Sequence, residues 1–174
     1  ILARYREAAD LLLLHGATPA QIDKAMTNFG YAMGPYEAQD MSGLDIAFAN
    51  RRRQDADRDP NRIYVRIADK MVEAGRLGRK TSLGWYSYAH DGKAGADPLV
   101  DALIIAESDH AGINRRHFSD DDITKRLLLA MINEGALILQ EAIAQNAGDI
   151  DLVSVLGYGF PRWRGGLMHY ADQL

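Results

Sequence analysis

Three cations that lie among glycines are the residues of this chain best suited to bind an anion. Arg76, Arg79 and Lys80 lie in the stretch GRLGRK, residues 75–80. Glycines let backbone N–H groups approach a bound group closely, and a phosphate can be held by such N–H groups together with nearby cations. Arg79 and Lys80 are therefore candidates for phosphate binding. From the residues alone, a plain turn at the end of a helix is the favoured alternative.

No other polar residues have a spacing that indicates catalysis or metal binding. No two histidines have the i, i+4 spacing of a helical metal site; they are His15, His90, His110, His117 and His169. Asp120–Asp122 are better explained by a helix start, where negative charge is favourable. Asn50–Arg53 (NRRR) could meet a phosphate, but a solvated helix face explains it better. A G-x-G-x-x-G dinucleotide fingerprint is also missing, so we predict no catalytic, cofactor-binding or metal-binding residue in this chain.

The composition argues against several classes of protein. The net charge of −4 disfavours nucleic acid or an anionic membrane as the main partner. The absence of cysteine excludes disulfides and cysteine nucleophiles, and it fits a reducing compartment. No apolar run approaches the length of a membrane span, and no basic-then-apolar leader is present. We therefore predict a cytoplasmic protein without a membrane span. Because the chain starts at Ile1 and enters a helical pattern at once, we expect a piece of a longer polypeptide.

Apolar residues at helical spacing predict helices along nearly the whole chain. The strongest helix, 119–145, starts with the cap Ser119. Another, starting near Thr18, has a proline in its first turn and a capping box. Glycines and aromatic residues interrupt the helical period near 76–88, which we predict to be a short extended or hairpin-like segment. The other predicted helices are 1–15, 35–41, 44–56, 59–75 (with Ile63 on its apolar face), 98–106, 148–157 and 164–172, and the predicted linker is 89–98.

Part of the sequence occurs twice. Ile22-Asp23 recur as Ile150-Asp151, a shift of 128 residues, and Gly30-Tyr31 recur as Gly157-Tyr158, a shift of 127. Each copy contains a long helix, a short helix, a Gly-Tyr turn, a proline and a second short helix. The repeat therefore predicts an all-α fold of two similar helical units, packed as an internal pseudo-dimer.

The repeat also predicts domain boundaries and a shared core. We assign the first helical repeat to 1–90, a linker with one helix to 91–118 and the second repeat to 119–174. The two Gly-Tyr turns are predicted to pack together, with Phe160 and Trp163 buried against the turn at 31–36.

Three stretches resemble the C-terminal region of 3-hydroxyacyl-CoA dehydrogenases. They are GYAMGPYEAQDMSGLD (30–45), GRLGRKTSLGWYSY (75–88), and MINEGALILQEAIA (131–144) with DIDLVSVLGYGFPRWRGGLMHYAD (149–172). The resemblance covers nearly the whole chain in the family's order. It is closest to the multifunctional fatty-acid oxidation proteins, which join an enoyl-CoA hydratase part to the dehydrogenase.

The resemblance implies the substrate-side region of an NAD-dependent enzyme of fatty acid β-oxidation, which converts a 3-hydroxyacyl-CoA to the 3-ketoacyl-CoA. In this family an N-terminal Rossmann domain binds NAD and carries a catalytic His–Glu pair. Neither is found here, so the chain is expected to bind no NAD and to be inactive alone. The implied partners are the acyl-CoA substrate and the N-terminal NAD-binding domain of the same polypeptide.

The resemblance also implies which residues meet the substrate. The family's substrate-contacting Asn–Arg pair would fall just before Ile1, and its counterpart in the second copy is Arg126, which is not Asn. The acyl-pocket wall of the family corresponds to the turn that holds Met33, Pro35 and Ala38, although core packing explains this turn equally well. The predicted substrate-binding residues are Met33, Pro35, Ala38, Arg79 and Lys80.

Two other functions fit parts of the sequence. A non-catalytic helical dimerisation or assembly module would have the same helices and the same internal repeat. The helical domain of another dehydrogenase, such as a 3-hydroxyacid type, is a weaker alternative because the paired Gly-Tyr blocks argue against it.

Overall fold

The described residues are mainly helical, which confirms the predicted fold class. A computed structural model describes residues 1–59, 63–89 and 92–174. Its α-helices are α1 (Leu2–His15), α2 (Pro19–Phe29), α3 (Pro35–Ser42), α4 (Leu44–Arg53), α5 (Ile67–Glu73), α6 (Pro98–His110), α7 (Asp120–Gln140), α8 (Ala147–Gly157) and α9 (Leu167–Ala171). None of the helices in the described ranges combines the length and the apolar composition of a membrane span.

The segment predicted to be extended contains a short hairpin strand. Strand β1 (Ser87–Tyr88) pairs antiparallel with β2 (Ala94–Gly95), and Ser87 lies opposite Gly95. A single 3₁₀ turn at Arg79–Thr81 precedes β1. Strand β2 falls inside the stretch predicted as a linker; residues 90 and 91 of that stretch, including His90, lie outside the described residues.

The chain divides into two compact units, each built from separate stretches. We call residues 1–9, 21–34 and 118–174 the terminal unit, and residues 10–20 and 35–117 the central unit. The predicted boundaries 1–90, 91–118 and 119–174 separate the two copies of the sequence repeat and not these compact units. They stay a prediction.

Helix α7 starts where the sequence predicts and ends earlier. Ser119 and Asp122 form a reciprocal capping box at its start. At its end Ala142 has a φ of 55°, and the Ile143 N–H donates to the Ile138 carbonyl at 3.0 Å. This is the bonding pattern of a Schellman cap. Because alanine, rather than the usual glycine, takes the left-handed position, the sequence signals no stop at Gln140.

The helix predicted at 59–75 is shorter, because α5 begins only at Ile67. Residues 60–62 lie outside the described residues, and Ile63 is 66% exposed rather than on an apolar face. The Tyr64 hydroxyl donates to Asp69 Oδ2 at 2.5 Å. This side-chain hydrogen bond links Tyr64, which precedes α5, to the first turn of the helix. Tyr64 itself is not helical.

An aromatic cluster lies in the terminal unit. Phe160 is buried, with its ring centroid 5.7 Å from that of Phe29 and 5.9 Å from that of Tyr31. The Tyr170 ring packs edge-on against Phe29 at 5.3 Å. Aromatic rings at these separations attract each other beyond simple burial. The first copy's Gly-Tyr turn therefore packs against Phe160 of the second, as the repeat predicts.

The predicted burial of Trp163 is wrong, since this side chain is 72% exposed. Arg164 takes the place beside the cluster. Its guanidinium lies 4.0 Å from the centroid of the Phe29 ring, and its Nε donates to the Phe29 carbonyl at 3.1 Å. Trp163 stacks on the same guanidinium, with the centroid of its ring 4.1 Å from the guanidinium carbon.

The two copies share one unusual contact within the terminal unit. A Cβ added to Gly34 would lie 2.3 Å from Asp23, and one added to Gly166 would lie 2.4 Å from Asp151. Asp23 and Asp151 are the repeated aspartates of the sequence. Their helices, α2 and α8, have 11 residues each. The close approach of a glycine to the aspartate therefore recurs with the repeat.

Candidate substrate-binding site

Helix α3 holds two residues of the predicted substrate-facing turn, Pro35 and Ala38, and both lie in the central unit. Pro35 occupies its first position, where a proline is well tolerated because the N–H it lacks would be unbonded. Pro35, Tyr36, Gln39 and Asp40 are buried, whereas Ala38 is exposed. The helix therefore presents Ala38 on its outer face and uses the opposite face for packing.

Asp40 anchors the segment 84–88 to the buried face of α3. Asp40 is 1% exposed. It accepts hydrogen bonds from the backbone N–H groups of Trp85 at 2.9 Å and Tyr86 at 3.0 Å, and from the Tyr88 hydroxyl at 2.8 Å. Burial raises the pKa of the Asp40 carboxyl, although these three hydrogen bonds act in the opposite direction.

Two glycines give the backbone room to surround Asp40. A Cβ added to Gly84 would lie 2.1 Å from Asp40 Oδ1, and one added to Gly78 would lie 2.3 Å from the Asp40 carbonyl oxygen. Gly78 also has a φ of 97°, which other residues adopt only with strain. The glycine spacing of this segment therefore reflects its close approach to α3.

The side chains of Trp85 and Arg76 fix the same segment. The Trp85 ring packs against Tyr36 with centroids 4.5 Å apart. Arg76 is buried, and it donates to the Gly84 carbonyl at 3.0 Å and to Asp97 Oδ2 at 2.5 Å. Its guanidinium is thus bonded inside the protein, so Arg76 does not belong with Arg79 and Lys80 as an open anion-binding residue.

Asp97, the partner of Arg76 in this ion pair, lies at the start of α6. It is the N-cap residue, and its Oδ1 accepts from the Leu99 N–H at 3.0 Å. Burial raises its pKa, but the hydrogen bonds from Leu99 and Arg76 and the Arg76 charge outweigh burial, so the pKa is lowered overall.

Arg79 and Lys80 are accessible, and each is paired with a carboxylate. Arg79 Nη2 lies 3.1 Å from Glu37 Oε1 on α3, and Lys80 Nζ lies 2.5 Å from Asp45 Oδ1 on α4. The hydrogen bond from Lys80 holds the pKa of Asp45 below its usual range. Because exposed ion pairs contribute little to stability, an anionic ligand can replace these carboxylates at small cost.

The structure groups four of the five predicted substrate-binding residues in the central unit. Pro35 and Ala38 lie on α3, and Arg79 and Lys80 lie on the adjoining 3₁₀ turn. Met33 is partly exposed and belongs to the terminal unit. Pro35 is buried, so it supports the site from within the helix and offers little surface to a ligand.

Sequence reasoning missed Asp40, Glu37 and Tyr88, which organise this site. The sequence holds one signal for Asp40. It lies four residues after the buried Tyr36 and four before the buried Leu44, which places an acid in an apolar stripe. A charged residue at such a position usually has a specific partner.

A small pocket also lies in the central unit. Its volume is about 90 Å³, whereas pockets for drug-sized ligands occupy about 300–1,000 Å³. It is lined by Thr18, Pro19, Ala20, Trp85, Tyr86, Ala96, Asp97 and Asp101. This pocket is too small for an acyl-CoA, so the exposed cations are the better candidate for substrate contact.

Comparison with known proteins identifies similar sequences and folds. The profile of the family "3-hydroxyacyl-CoA dehydrogenase, C-terminal domain" matches residues 1–88. A peroxisomal bifunctional enzyme of Danio rerio is 42% identical over 100% of this chain and 26% of its own length. A glyoxysomal fatty acid beta-oxidation multifunctional protein of Cucumis sativus is 35% identical over 98% of this chain and 24% of its own length. The chain thus spans about a quarter of the length of these relatives.

Two solved structures share the fold. The dehydrogenase part of multifunctional enzyme 1 from C. elegans has a TM-score of 0.74 and 31% identity, and the match covers 92% of this chain and 36% of that one. The 3-hydroxybutyryl-CoA dehydrogenase of Escherichia coli K12 has a TM-score of 0.66 over 97% of this chain and 50% of its own; at 20% identity it supports the fold alone.

Proposed function

This chain belongs to the family of 3-hydroxyacyl-CoA dehydrogenase C-terminal domains, and from that premise we propose that it forms the substrate side of an NAD-dependent 3-hydroxyacyl-CoA dehydrogenase. The reaction is the oxidation of a 3-hydroxyacyl-CoA to the 3-ketoacyl-CoA in fatty acid β-oxidation. The chain acts together with an NAD-binding domain of the same polypeptide.

The exposed pair Arg79 and Lys80 supports this proposal most directly. Both cations lie on one 3₁₀ turn next to Glu37 and Asp45. A CoA phosphate can replace the two carboxylates, since an arginine fork and a lysine ammonium both bind phosphate well. The small side chain of Ala38 leaves the outer face of α3 open beside them. Met33, with a flexible and polarisable side chain, suits contact with an acyl chain.

The fold of the described residues does not fit NAD. Dinucleotides bind at a parallel sheet with a glycine-rich turn before a helix. The one sheet in the described ranges is a two-stranded antiparallel pair, and the sequence has no G-x-G-x-x-G. We therefore assign NAD to another domain, and we assign no proton or hydride transfer to residues of this chain. Its residues bind and orient the thioester substrate.

Steady-state kinetics of the full-length enzyme test this function. Arg79→Gln with Lys80→Gln removes both charges, and we expect KM for acetoacetyl-CoA to rise about tenfold or more, because a hydrogen bond to a charged group is worth about 1.5–3 kcal/mol. Lys125→Gln, which removes a lysine ion-paired with Asp121 on α7, is the matched control. An unchanged KM in the double variant would exclude Arg79 and Lys80 from substrate binding.

A helical assembly module is the second candidate function. It is favoured by the apolar side chains of α8 that are exposed to solvent, since Leu152, Val153 and Leu156 are 61%, 49% and 70% exposed. Association that depends on protein concentration, without protection by acyl-CoA against thermal unfolding, would support this candidate.

We retain the cytoplasm as the proposed location. The rival is an organelle, since the Danio and Cucumis relatives are named peroxisomal and glyoxysomal. A fluorescent fusion of the full-length protein distinguishes the two.

A further inference from the structure

Arg79 is held by two residues of α3 that are one helical turn apart. Glu37 contacts it directly, with its Oε1 3.1 Å from Arg79 Nη2. Asp40 acts through Tyr88. The Tyr88 hydroxyl donates to Asp40 Oδ2 at 2.8 Å, and the Tyr88 ring centroid lies 5.3 Å from the guanidinium carbon of Arg79. A guanidinium within about 6 Å of a ring centroid is attracted to the ring face.

Tyr88 is itself fixed at both ends. The Tyr88 N–H donates to the carbonyl of Ser82 at 2.9 Å, and Ser82 lies three residues after Arg79. Tyr88 also pairs with Ala94 in the hairpin. Burial and the neighbouring Asp40 carboxylate raise the pKa of the Tyr88 phenol. Tyr88 therefore keeps its proton at neutral pH and remains a hydrogen-bond donor to Asp40.

The carboxylate of Asp40 cannot shift without breaking other bonds. It is buried, and it also accepts from the N–H groups of Trp85 and Tyr86. Gly84 packs against it so closely that no side chain fits between them. The carboxylate is thus a fixed point to which the Tyr88 ring is tied.

We propose that Asp40 and Tyr88 are positioning residues that orient Arg79 towards a phosphate of the CoA substrate. This inference rests on the proposed function of Arg79. Neither residue touches the substrate. Asp40 fixes the Tyr88 hydroxyl, the Tyr88 ring supports the guanidinium, and Arg79 meets the phosphate in a prepared orientation. Preorganisation of this kind favours binding because less side-chain freedom is lost when the ligand arrives.

Tyr88→Phe tests the inference in the full-length enzyme. It keeps the ring and removes the hydrogen bond to Asp40. We expect KM for acetoacetyl-CoA to rise about three- to tenfold with kcat unchanged. KM for acetoacetyl-pantetheine, which lacks the nucleotide phosphates, should not change. Tyr64→Phe is the matched control, because it removes a similar hydroxyl-to-carboxylate bond, to Asp69, and should change neither KM.

A double-mutant cycle with Arg79→Gln separates positioning from a general structural defect. If Tyr88 acts through Arg79, Tyr88→Phe has no further effect on KM in the Arg79→Gln background. A folding defect would persist there and would also lower the melting temperature. Equal effects of Tyr88→Phe on both substrates, or additive effects with Arg79→Gln, would overturn the positioning role. If Arg79→Gln alone leaves KM unchanged, the proposed function fails and the inference fails with it. If only Arg79→Gln raises KM, the inference alone is overturned.

Discussion

At the scale of single residues, neighbours in the sequence have opposite roles in the aromatic cluster. Phe160 is 3% exposed and contacts Phe29, Tyr31 and Tyr170, whereas Trp163 is 72% exposed. The repeat predicts that both pack inward. It does not distinguish them, because Arg164 occupies the place beside Phe29 only once the two copies have folded together.

This difference predicts unequal effects of two truncations. Phe160→Ala should destabilise the protein by about 3–5 kcal/mol, the usual cost of deleting a buried aromatic ring. In a chain of this size that lowers the melting temperature by roughly 6–20 °C. Trp163→Ala loses little more than its stacking on Arg164, about 0.5–1 kcal/mol. Calorimetry of both variants measures the difference, and similar melting temperatures for the two would contradict the described core.

The Asp97 carboxylate predicts a dependence of stability on acid pH. Its pKa in the folded protein is lowered, so its contribution is fully present above the unfolded value of about 3.9 and is lost as the pH falls through the folded value. Asn at this position still caps α6 but does not titrate. The free energies of unfolding of the wild type and of Asp97→Asn should therefore differ at pH 7, and the difference should narrow as the pH falls below about 3.9.

Urea unfolding at pH 7 and at pH 3 checks this expectation. Glu73→Gln is the control, because it removes an exposed carboxylate at the end of α5 and should change stability little at either pH. A difference between the wild type and Asp97→Asn that stays constant from pH 7 to pH 3 would show that the Arg76–Asp97 pair does not stabilise the folded state.

At the scale of elements, local sequence predicts the type of structure better than its partners. Glycines and aromatic residues correctly indicate an extended segment near 76–88. They do not reveal that this segment packs on α3, because its anchor Asp40 lies some 45 residues earlier in the chain. For the same reason, the sequence identifies Arg79 and Lys80 as cations but not the carboxylates that pair with them.

Two glycines at the start of this segment give a matched pair of substitutions. Both Gly75 and Gly78 have positive φ values, 76° and 97°. A Cβ at Gly75 meets nothing within 4 Å, whereas one at Gly78 lies 2.3 Å from the Asp40 carbonyl oxygen. Gly75→Ala should cost about 1–2 kcal/mol from the left-handed backbone alone. Gly78→Ala adds overpacking, for about 2–5 kcal/mol in total.

Urea denaturation of the two variants measures these costs. If Gly78→Ala is no less stable than Gly75→Ala, the segment can move away from α3. The close contact would then not be required for the fold.

At the scale of the whole molecule, the boundaries of the sequence repeat differ from those of the two compact units. The repeat is visible in the residues themselves, through the recurring Ile-Asp and Gly-Tyr pairs. The units depend on contacts between stretches far apart in the chain, which local patterns do not encode. This is why the sequence predicts the fold class and the shared aromatic core, but not the division into a terminal and a central unit.

The chain by itself is predicted to be inactive. Its described residues contain no parallel sheet for a dinucleotide, and no catalytic His–Glu block is recognised in the sequence. We expect no oxidation of NADH by acetoacetyl-CoA above background from the chain alone, and we expect activity from the full-length protein assayed beside it. Turnover by the chain alone would refute this assignment of roles.

The terminal unit joins residues 1–9 and 21–34 to residues 118–174, and this has a consequence for the order of events during synthesis. Phe29 and Tyr31 leave the ribosome well over a hundred residues before their partners Phe160 and Tyr170. The central unit is complete once residue 117 has emerged, so it can fold first. During that interval the aromatic side chains of α2 and the following turn lack the rings that bury them. Exposed apolar surface of this kind is what chaperones bind and what promotes aggregation. A polypeptide that stops before Phe160 should therefore retain the residues of the central unit and be prone to aggregate through its uncovered aromatic residues.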